Sequence, residues 1–548
     1  MTMKKYIILL AFTVTVLASC KKSFLDETVY SSFSPQALND SLAFEAAIVG
    51  IQSQYALWHT LGNDNVNSQG FLCVWQMGTD VAFNKAPADL DPFVVPYTNY
   101  QNLTSTDPAA LFVWKWAYNL INSCNNVIAK ADAAAMGQAN KTNVKAEASY
   151  YRGVAYNTLA TLFGKVPLIT EPVSGPKTDF TRAPLNEVNA LIIADLSNAK
   201  NNLPSIANVK SNPRGKLFAR ANKSMASQLL AEVYLRTGQN SLAEAEADAV
   251  INSGDFNLIT SRYGVKASQP GDAFSDMFIY GNQRRSQGNR EAIWVLELEN
   301  PNTVIGGAGM TSSTNFPGFV FGAPQHRRVW GNRYHGQAGM LLADSLGGRG
   351  ISRMAITYFV LNNYGAGDMR NSQFSIRRNY WYNNPASPLF GQPVNPNAAG
   401  VDTNRFIVPQ ITKWNQYDPN DPFGFAMIKD VIVMRLGETY LLKAEAQFKQ
   451  GNTAGAAATL NTLRNRAGAS SITAADVTLD FILDERAREL IGEENRRMTL
   501  MRTGTLVNRV VGRGLKIAGL TATHLLLPIP QAEIDLNKDA KLEQNPGY

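Results

Sequence analysis

The chain has 548 residues, 45% of them hydrophobic and 17% charged, which is enough apolar material for a large core or for one big domain with insertions. Its net charge of +7 is mild for this length, and no basic stripe with interleaved aromatic residues occurs, so nucleic-acid binding is not expected. The Walker, G-x-S-x-G and H-E-x-x-H motifs are also missing from the sequence, which therefore indicates no catalytic class, cofactor or metal.

The first residues have the features of a targeting segment. Lys4 and Lys5 precede the apolar run IILLAFTVTVLA, which is typical of a signal peptide and too short for a spanning helix. The small residues of LASC, which ends at Cys20, resemble the cleavage box of bacterial lipoproteins. We therefore expect residues 1–19 to be removed and Cys20 to carry lipid. The alternative is an ordinary secretory signal that contains a cysteine.

Helical periodicity dominates the chain from about residue 35 to residue 255. Ser34-Pro35 is a helix-start signal, and Phe44, Ile48 and Ile51 then share one helical face. Further helices are predicted from about Asp107, over KTNVKAEASYYRGVAYNTLATLFG, over Asn186–Asn202, over Leu217–Arg236 and over Leu242–Ser253.

The sequence changes character between about residues 256 and 426. Glu291–Glu299 (EAIWVLELE) is rich in Ile, Val and Trp and predicts a strand. Around it lie long stretches rich in Gly, Asn and Pro, with aromatic residues throughout. Long ordered loops in a helical protein are usually functional. Within them, Asp368-Met369-Arg370 predicts an ion pair that fixes a loop.

Three further helices are predicted in Val431–Gly504. Ile432, Leu436 and Tyr440 share a face in the first, and Gly451 ends it. The second begins after an N-cap at Thr453, and the third follows Thr478. Within and after the third helix, two pairs at i,i+4 spacing are expected, Asp484–Arg488 and Glu493–Arg497.

One helical hairpin is echoed far upstream. AEVYLRTG (Ala231–Gly238) aligns without gaps on AEAQFKQG (Ala444–Gly451). Small residues at fixed positions allow two helices to approach closely, and the glycine ends the helix before the turn. This is the pattern of tetratricopeptide-type hairpins. The predicted fold is therefore mainly α, a tetratricopeptide-like scaffold over about 35–255 and 427–548, with a loop-rich insert containing short strands over about 256–426.

Segments in a fixed order along the mature chain resemble the SusD/RagB-like nutrient-binding lipoproteins of the Bacteroidetes type. They are SC at the lipidation site, AEASYYRGVAYNTLATLFGKVPLI, RAPLNEVNALIIADLSNAKNNLP, SQLLAEVYLRTGQNSLAEAEADAVINSGDFNLI, GDMR, VIVMRLGETYLLKAEAQFKQG, LNTLRNRAG, LDERARELIGEENRRMTLMRTG, HLLLPIP and QNPGY. The resemblance implies a single domain over 20–548 that is lipid-anchored at the outer membrane and exposed at the cell surface. It also implies a non-catalytic protein that captures glycans for a SusC-like TonB-dependent barrel transporter.

Flat aromatic rings and amides in the loops are the natural candidates for sugar contacts. The predicted ligand-binding residues are Trp75, Asp80, Asn84, Trp330, Arg333, Tyr334, Trp381 and Tyr382, with Tyr380, Trp414 and Tyr417 in the same loops. The alternative is that these rings anchor long loops onto the scaffold. If they bind ligand, alanine at Trp75, Trp330, Tyr334 and Trp381 together should abolish binding and leave the fold intact.

Two other functions are compatible with the same scaffold. The first is capture of peptides, which would rely on backbone hydrogen bonds and fewer stacked rings. The second is a pure protein-interaction scaffold without a small ligand. A glycosidase would need two carboxylates roughly 5–10 Å apart, and acidic residues are plentiful, but Glu485, Glu489, Glu493 and Glu494 are expected to be held by partners at helical spacing.

Overall fold

The computed structural model describes residues 38–60, 72–85, 92–209, 219–298, 325–417, 427–515 and 517–548. The predicted signal peptide, Cys20 and the helix-start signal at Ser34-Pro35 lie outside these residues. Among the described residues, no helix combines the length and the apolar character needed to cross a membrane.

Helices make up most of the described secondary structure, as the sequence predicts. They are α1 (Ser41–Thr60), α2 (Val95–Thr98), α3 (Pro108–Lys130), α4 (Gln138–Phe163), α5 (Leu185–Asn202), α6 (Lys223–Arg236), α7 (Asn240–Ile251), α8 (Ala273–Asp276), α9 (His326–Trp330), α10 (Tyr358–Leu361), α11 (Leu436–Lys449), α12 (Thr453–Arg466), α13 (Leu479–Leu490), α14 (Arg496–Arg502), α15 (Leu506–Gly512) and α16 (Gln531–Leu536). The strands are β1 (Ala82–Phe83), β2 (Ala292–Leu296), β3 (Ala355–Ile356), β4 (Ile376–Arg377), β5 (Gln410–Ile411) and β6 (Val431–Arg435).

Neighbouring helices from α3 to α7 pack side by side, and the two predicted hairpins meet where α7 packs on α11. At this junction the side-chain amide of Gln447 donates to the carboxylate of Glu244 at 2.9 Å, and Lys443 pairs with Asp248 at 2.6 Å. The echo between Ala231–Gly238 and Ala444–Gly451 therefore marks two parts of one helical layer. The predicted mainly α fold with short strands is confirmed.

The strand prediction at Glu291–Glu299 is confirmed, but its partner was predicted as helix. β2 pairs antiparallel with β6, with Leu296 opposite Val431 and Ala292 opposite Arg435. The predicted first helix of Val431–Gly504 therefore begins only at Leu436. The β-branched run Val431–Val433 favours a strand, and contact with a strand distant in sequence outweighs its helical spacing. The N-cap of α12 is Asn452, whose side chain accepts from the amide of Gly455, and not Thr453.

The two predicted i,i+4 ion pairs are wrong. Asp484 contacts Arg509 and Arg513 instead of Arg488. Glu493 pairs with Arg435 at 2.6 Å and not with Arg497. Partners from distant segments lie inside the fold, where a charge pair is screened less than on a helix surface.

These long-range pairs belong to a buried group that we call the ion network, which links α13 to β6, α12 and the central segment (residues 256–426). Its members are Glu291, Glu485, Glu489, Glu493, Arg370, Arg435, Arg464, Arg466, Arg488 and Lys413. Burial raises the pKa of Glu489, but Arg466, Arg435 and Arg370 outweigh it and hold the pKa well below its ordinary value.

The expected pair Asp368–Arg370 joins the central segment to this network. Asp368 caps the short turn Met369–Asn371 by accepting from the amide of Arg370, and the two side chains pair at 2.8 Å. Arg370 also contacts Glu485 at 2.7 Å and Glu489 at 3.0 Å. A loop of the central segment is thus fixed to α13 by fully buried charges.

Candidate functional site

Three exposed aromatic side chains surround one cavity in the central segment. Tyr280, Phe374 and Trp381 are 46%, 41% and 46% exposed, and all three line a cavity of about 530 Å³ that we call the groove. The other lining residues come from four stretches of chain, residues 266–279, 344–346, 373–383 and 412–417. Large exposed rings are costly in water, so their gathering around one concavity indicates a binding surface.

Trp381 lies in extended chain between two buried tyrosines, and its own side chain points to the opposite, exposed face. Tyr380 and Tyr382 are 1% and 7% exposed, as expected for extended chain, in which successive side chains point to opposite faces. The amide of Val394 donates to the carbonyl of Tyr380 at 2.8 Å, and the amide of Tyr382 donates to the carbonyl of Gln392 at 3.0 Å. Backbone pairing on one side therefore holds the indole of Trp381 in the groove.

Tyr280 lies on a loop closed by the buried amide of Asn282. The Nδ2 of Asn282 donates to the carbonyl of Asp276 at 2.9 Å, and the Oδ1 of Asn282 accepts from the backbone amide of Val265 at 3.0 Å. The hydroxyl of Tyr263 donates to the carbonyl of Asn282 at 2.9 Å. These bonds tie the two ends of the loop together, so the position of Tyr280 is set before any ligand binds.

Two buried lysines support the floor of the groove. The Nζ of Lys429 donates to the carbonyls of Phe278, Lys413 and Asn415, and burial lowers the pKa of Lys429 to about 7. The Nζ of Lys413 donates to the carbonyl of Glu489 at 2.8 Å and lies 4.9 Å from the ring centre of Phe278. Lys429 therefore joins two stretches that line the groove.

The remaining lining is rich in amides and poor in charge. The amide and hydroxyl groups come from Gln269, Ser275, Ser345, Gln373, Asn379, Asn383, Thr412, Asn415 and Gln416. The charged lining residues among those described are Lys266, Asp344 and Arg377. Amides can both donate to and accept from hydroxyl groups, while the negative face of an aromatic ring attracts the weakly positive C–H groups of a sugar.

Of the predicted site residues, the structure places only Trp381 in the groove, together with Tyr417 from the same loops. Trp75 and Trp330 are buried and line a second cavity of about 200 Å³ between the helices and the central segment. There Trp75 stacks on Trp58, with ring centres 4.8 Å apart. These two tryptophans fit the alternative in which the rings attach loops to the scaffold.

Asp80 and the two tyrosines are also interior. Asp80 is fully buried and holds Arg496 at 2.6 Å and Arg509 at 2.8 Å, so its carboxylate is already occupied. Tyr334 and Tyr382 pack in a small apolar cluster within the central segment. Because Trp75, Trp330 and Tyr334 are all buried, the structure predicts that the quadruple alanine variant loses stability and not binding alone.

Asn84 and Arg333 lie away from the groove. The Nδ2 of Asn84 donates to the carbonyl of Arg353 at 3.1 Å, next to a third cavity of about 250 Å³ that is lined by Phe83 and Lys85. Arg333 is half-buried, and its amide donates to the carbonyl of Arg405 at 3.1 Å. Ligand contact by these two side chains stays a prediction.

Sequence reasoning missed Tyr280 and Phe374. Phe374 stands alone in NSQFS, and Tyr280 in FIYGNQ follows two aromatic residues, Phe274 and Phe278, that the fold buries. The available clue was the Gly-Asn turn signal after Tyr280, because connecting segments run over the protein surface. The alternation through Tyr380-Trp381-Tyr382 predicts that the middle ring differs from its neighbours, but not which face is buried.

Comparison with known proteins agrees with this fold. The SusD family model matches residues 291–548, and a model described as "Starch-binding associating with outer membrane" matches residues 24–235. Together the two matches cover most of the sequence, and the chain belongs to the SusD family.

Several relatives extend along nearly the whole chain. A SusD-like protein of Formosa agariphila is 23% identical over 97% of this chain and 96% of its own length. A laminarin-binding SusD-like protein of known structure is 23% identical, with a TM-score of 0.68, and the match covers 93% of this chain and 100% of that one. Surface glycan-binding protein A from Bacteroides thetaiotaomicron, solved with laminarihexaose, is 19% identical, with a TM-score of 0.67, over 92% of this chain and 98% of that one.

Proposed function

We propose that this chain is a non-catalytic carbohydrate-binding protein of a glycan-uptake system at the bacterial outer membrane, and that an oligosaccharide binds in the groove. The observation that carries the proposal is the set of three exposed rings, Tyr280, Phe374 and Trp381, around one amide-lined cavity. The rings supply flat surfaces for the C–H faces of sugars, and the amides supply partners for hydroxyl groups.

The relatives support the same ligand class. Two of the solved structures are described as binding laminarin or carrying laminarihexaose, and one of the matching families is described as starch-binding. The groove also lacks the pair of acids that glycoside hydrolysis requires, because Asp344 is the single carboxylate among its described lining residues. Binding without turnover is therefore the expected activity.

The test is affinity gel electrophoresis of the full-length chain in detergent against a panel of polysaccharides. We expect at least one polysaccharide to retard the chain, and no shortened product to accumulate on long incubation. The triple variant Tyr280→Ala, Phe374→Ala, Trp381→Ala should lose this retardation by a factor of at least ten while its circular dichroism and unfolding midpoint stay near those of the wild type, because all three rings are already partly in water.

Tyr358→Ala is the matched control. Tyr358 is 69% exposed and lines the third cavity instead of the groove, so its removal should not change the retardation. If Tyr358→Ala abolishes binding and the triple variant does not, the sugar site lies at the third cavity, next to Asn84. A blank polysaccharide panel combined with a bound peptide would favour the peptide-capture alternative.

Membrane attachment and transport complete the proposal. We infer that Cys20 carries lipid and that the groove supplies glycan to a SusC-like TonB-dependent transporter. Cys20→Ser should remove incorporated radiolabelled fatty acid and move the chain from the membrane pellet to the supernatant. Affinity purification of the wild-type chain from its native membranes should co-purify a large barrel transporter. Its reproducible absence would contradict the transport role while leaving sugar binding in place.

A further inference from the structure

We propose that the groove selects uncharged glycans and discriminates against uronate-rich or sulfated ones. This inference rests on the proposed function and specifies the ligand class of the same site. Its basis is the state of the cations in and below the groove, each of which is already bound to a group of the protein.

Lys266 is the cation nearest to solvent in the groove. It pairs with Asp344 at 2.7 Å, and both side chains are partly exposed. A carboxylate or sulfate entering here would have to displace Asp344, which is itself an anion and would repel the newcomer. The pair therefore presents a nearly neutral surface to a ligand.

Arg377 is the other cation of the lining, and it is used for folding. Its Nη1 donates to the carbonyl of Leu346 at 2.7 Å, and its Nη2 donates to the carbonyl of Ser345 at 2.6 Å. The side chain is buried. Recognition of an anionic group relies on charge-assisted hydrogen bonds from an available guanidinium or ammonium, and here these donors hold the loop that carries Asp344.

The cations around and beneath the lining are likewise bound to groups of the protein. Arg262, at the rim, donates to Asp276 and to the carbonyls of Gln269 and Lys266. Below, Lys429 and Lys413 are occupied by backbone carbonyls and the ion network. The other polar groups of the lining are amides and hydroxyls, several of which also bond to nearby backbone. These uncharged groups match the hydroxyls of a neutral sugar, whereas an anion would lose its hydration without a new charged partner.

The experiment compares each neutral polysaccharide that binds with its own C6-oxidised form, in which the CH₂OH group becomes a carboxylate and the linkages are unchanged. The full-length chain should bind the oxidised form at least tenfold more weakly. Equal or tighter binding of the oxidised form, or binding to anionic polysaccharides alone, would overturn the inference and leave sugar binding standing. No binding to any polysaccharide would overturn the proposed function and, with it, this inference.

The variant Asp344→Asn tests whether the weaker binding of the oxidised form comes from its negative charge or from the hydroxyl group that oxidation removes. The substitution leaves Lys266 without its anion, so the affinity for the oxidised form relative to the neutral form should rise at least fivefold. Asp179→Asn is the matched control, because it breaks an exposed pair, Lys177–Asp179 at 2.6 Å, away from the groove and should leave this ratio unchanged. If Asp344→Asn also leaves the ratio unchanged, internal pairing does not set the selectivity and the inference is wrong.

Discussion

In the ion network, Glu485 and Glu489 have no exposed surface and are surrounded by arginines, whereas in the groove neutral amides lie beside exposed rings. The lowered pKa values in the first region have a structural cause, because several arginines surround each carboxylate, most of them from other segments of the chain. Perturbed ionisation often marks functional sites, but here it marks the interior. The groove is recognised instead by aromatic surface that the fold leaves in water.

The largest effect is expected for Glu489→Ala. Removing this carboxylate leaves Arg370, Arg435 and Arg466 buried with one partner fewer, and breaking a buried pair costs about 3–5 kcal/mol. We expect unfolded protein, or a midpoint in denaturant that is lowered by this amount. Glu543→Ala, at an exposed pair with a separation of 3.6 Å, should change the free energy of unfolding by less than about 0.5 kcal/mol. Equal effects would contradict the structural role of the network.

Trp330→Ala and Trp381→Ala test the division between interior and groove. Trp330 is buried, so its loss should cost about 3–5 kcal/mol of stability. Trp381 is 46% exposed, so its loss should cost less than about 1 kcal/mol while lowering polysaccharide binding at least tenfold. Thermal unfolding and affinity electrophoresis of both variants measure the two effects. The division fails if Trp381→Ala destabilises the chain as much as Trp330→Ala does.

Acid should weaken the scaffold through Glu445. Burial raises the pKa of this carboxyl, but Arg502 and Lys449 outweigh it, so the pKa falls to about 2 from an ordinary 4.5. Because the folded-state pKa is lowered, the stabilisation is present above about pH 4.5 and is lost as the pH falls toward 2. The loss should be on the order of 3 kcal/mol. Glu445→Gln should be less stable at pH 7 and should lose less between pH 5 and 3, as measured by urea unfolding. A wild type and variant with parallel pH profiles would refute this assignment.

Among the variants expected to destabilise the scaffold, Gly451→Val should have the smallest effect. Gly451 has a φ of +79° in the turn between α11 and α12, a conformation that costs other residues about 1–2 kcal/mol. Apart from the neighbouring residues of the chain, no heavy atom lies within 4 Å of an added Cβ, so backbone strain is the main cost. Stability should fall by that amount and polysaccharide binding should stay unchanged. Loss of binding at unchanged stability would show that the hairpin takes part in ligand recognition.

The sequence predicts the helical layer well because local signals determine it. Apolar spacing, the cap at Thr478 and the glycine at 451 act within one or two turns of helix, and the structure bears them out. Local sequence patterns do not predict the contacts between segments that are distant in the chain. Val431–Arg435 becomes a strand because β2 lies beside it, and Asp484 and Glu493 find partners far along the chain.

The site was less predictable than the fold for a related reason. Aromatic content indicates that rings cluster in the central segment, but burial depends on packing that sequence spacing does not show. Trp330 and Trp381 are the same residue type and both are predicted to lie in loops, yet Trp330 ends the short helix α9 and is buried, whereas Trp381 is exposed. Phe374 has no neighbouring aromatic residue to draw attention to it, and only the assembled loops bring it to the groove.

The attachment of the central segment at Arg370 and Trp414 uses none of the three exposed rings. Arg370 enters the ion network, and the indole of Trp414 donates to the carbonyl of Gly492 at 3.0 Å. Gly492 has a φ of +79°, and a side chain there would collide with Ile411. The three exposed rings can therefore be exchanged while the loops that carry them stay attached to the scaffold. The same scaffold can in this way acquire specificity for different sugars, because changes at the exposed rings cost the fold little stability.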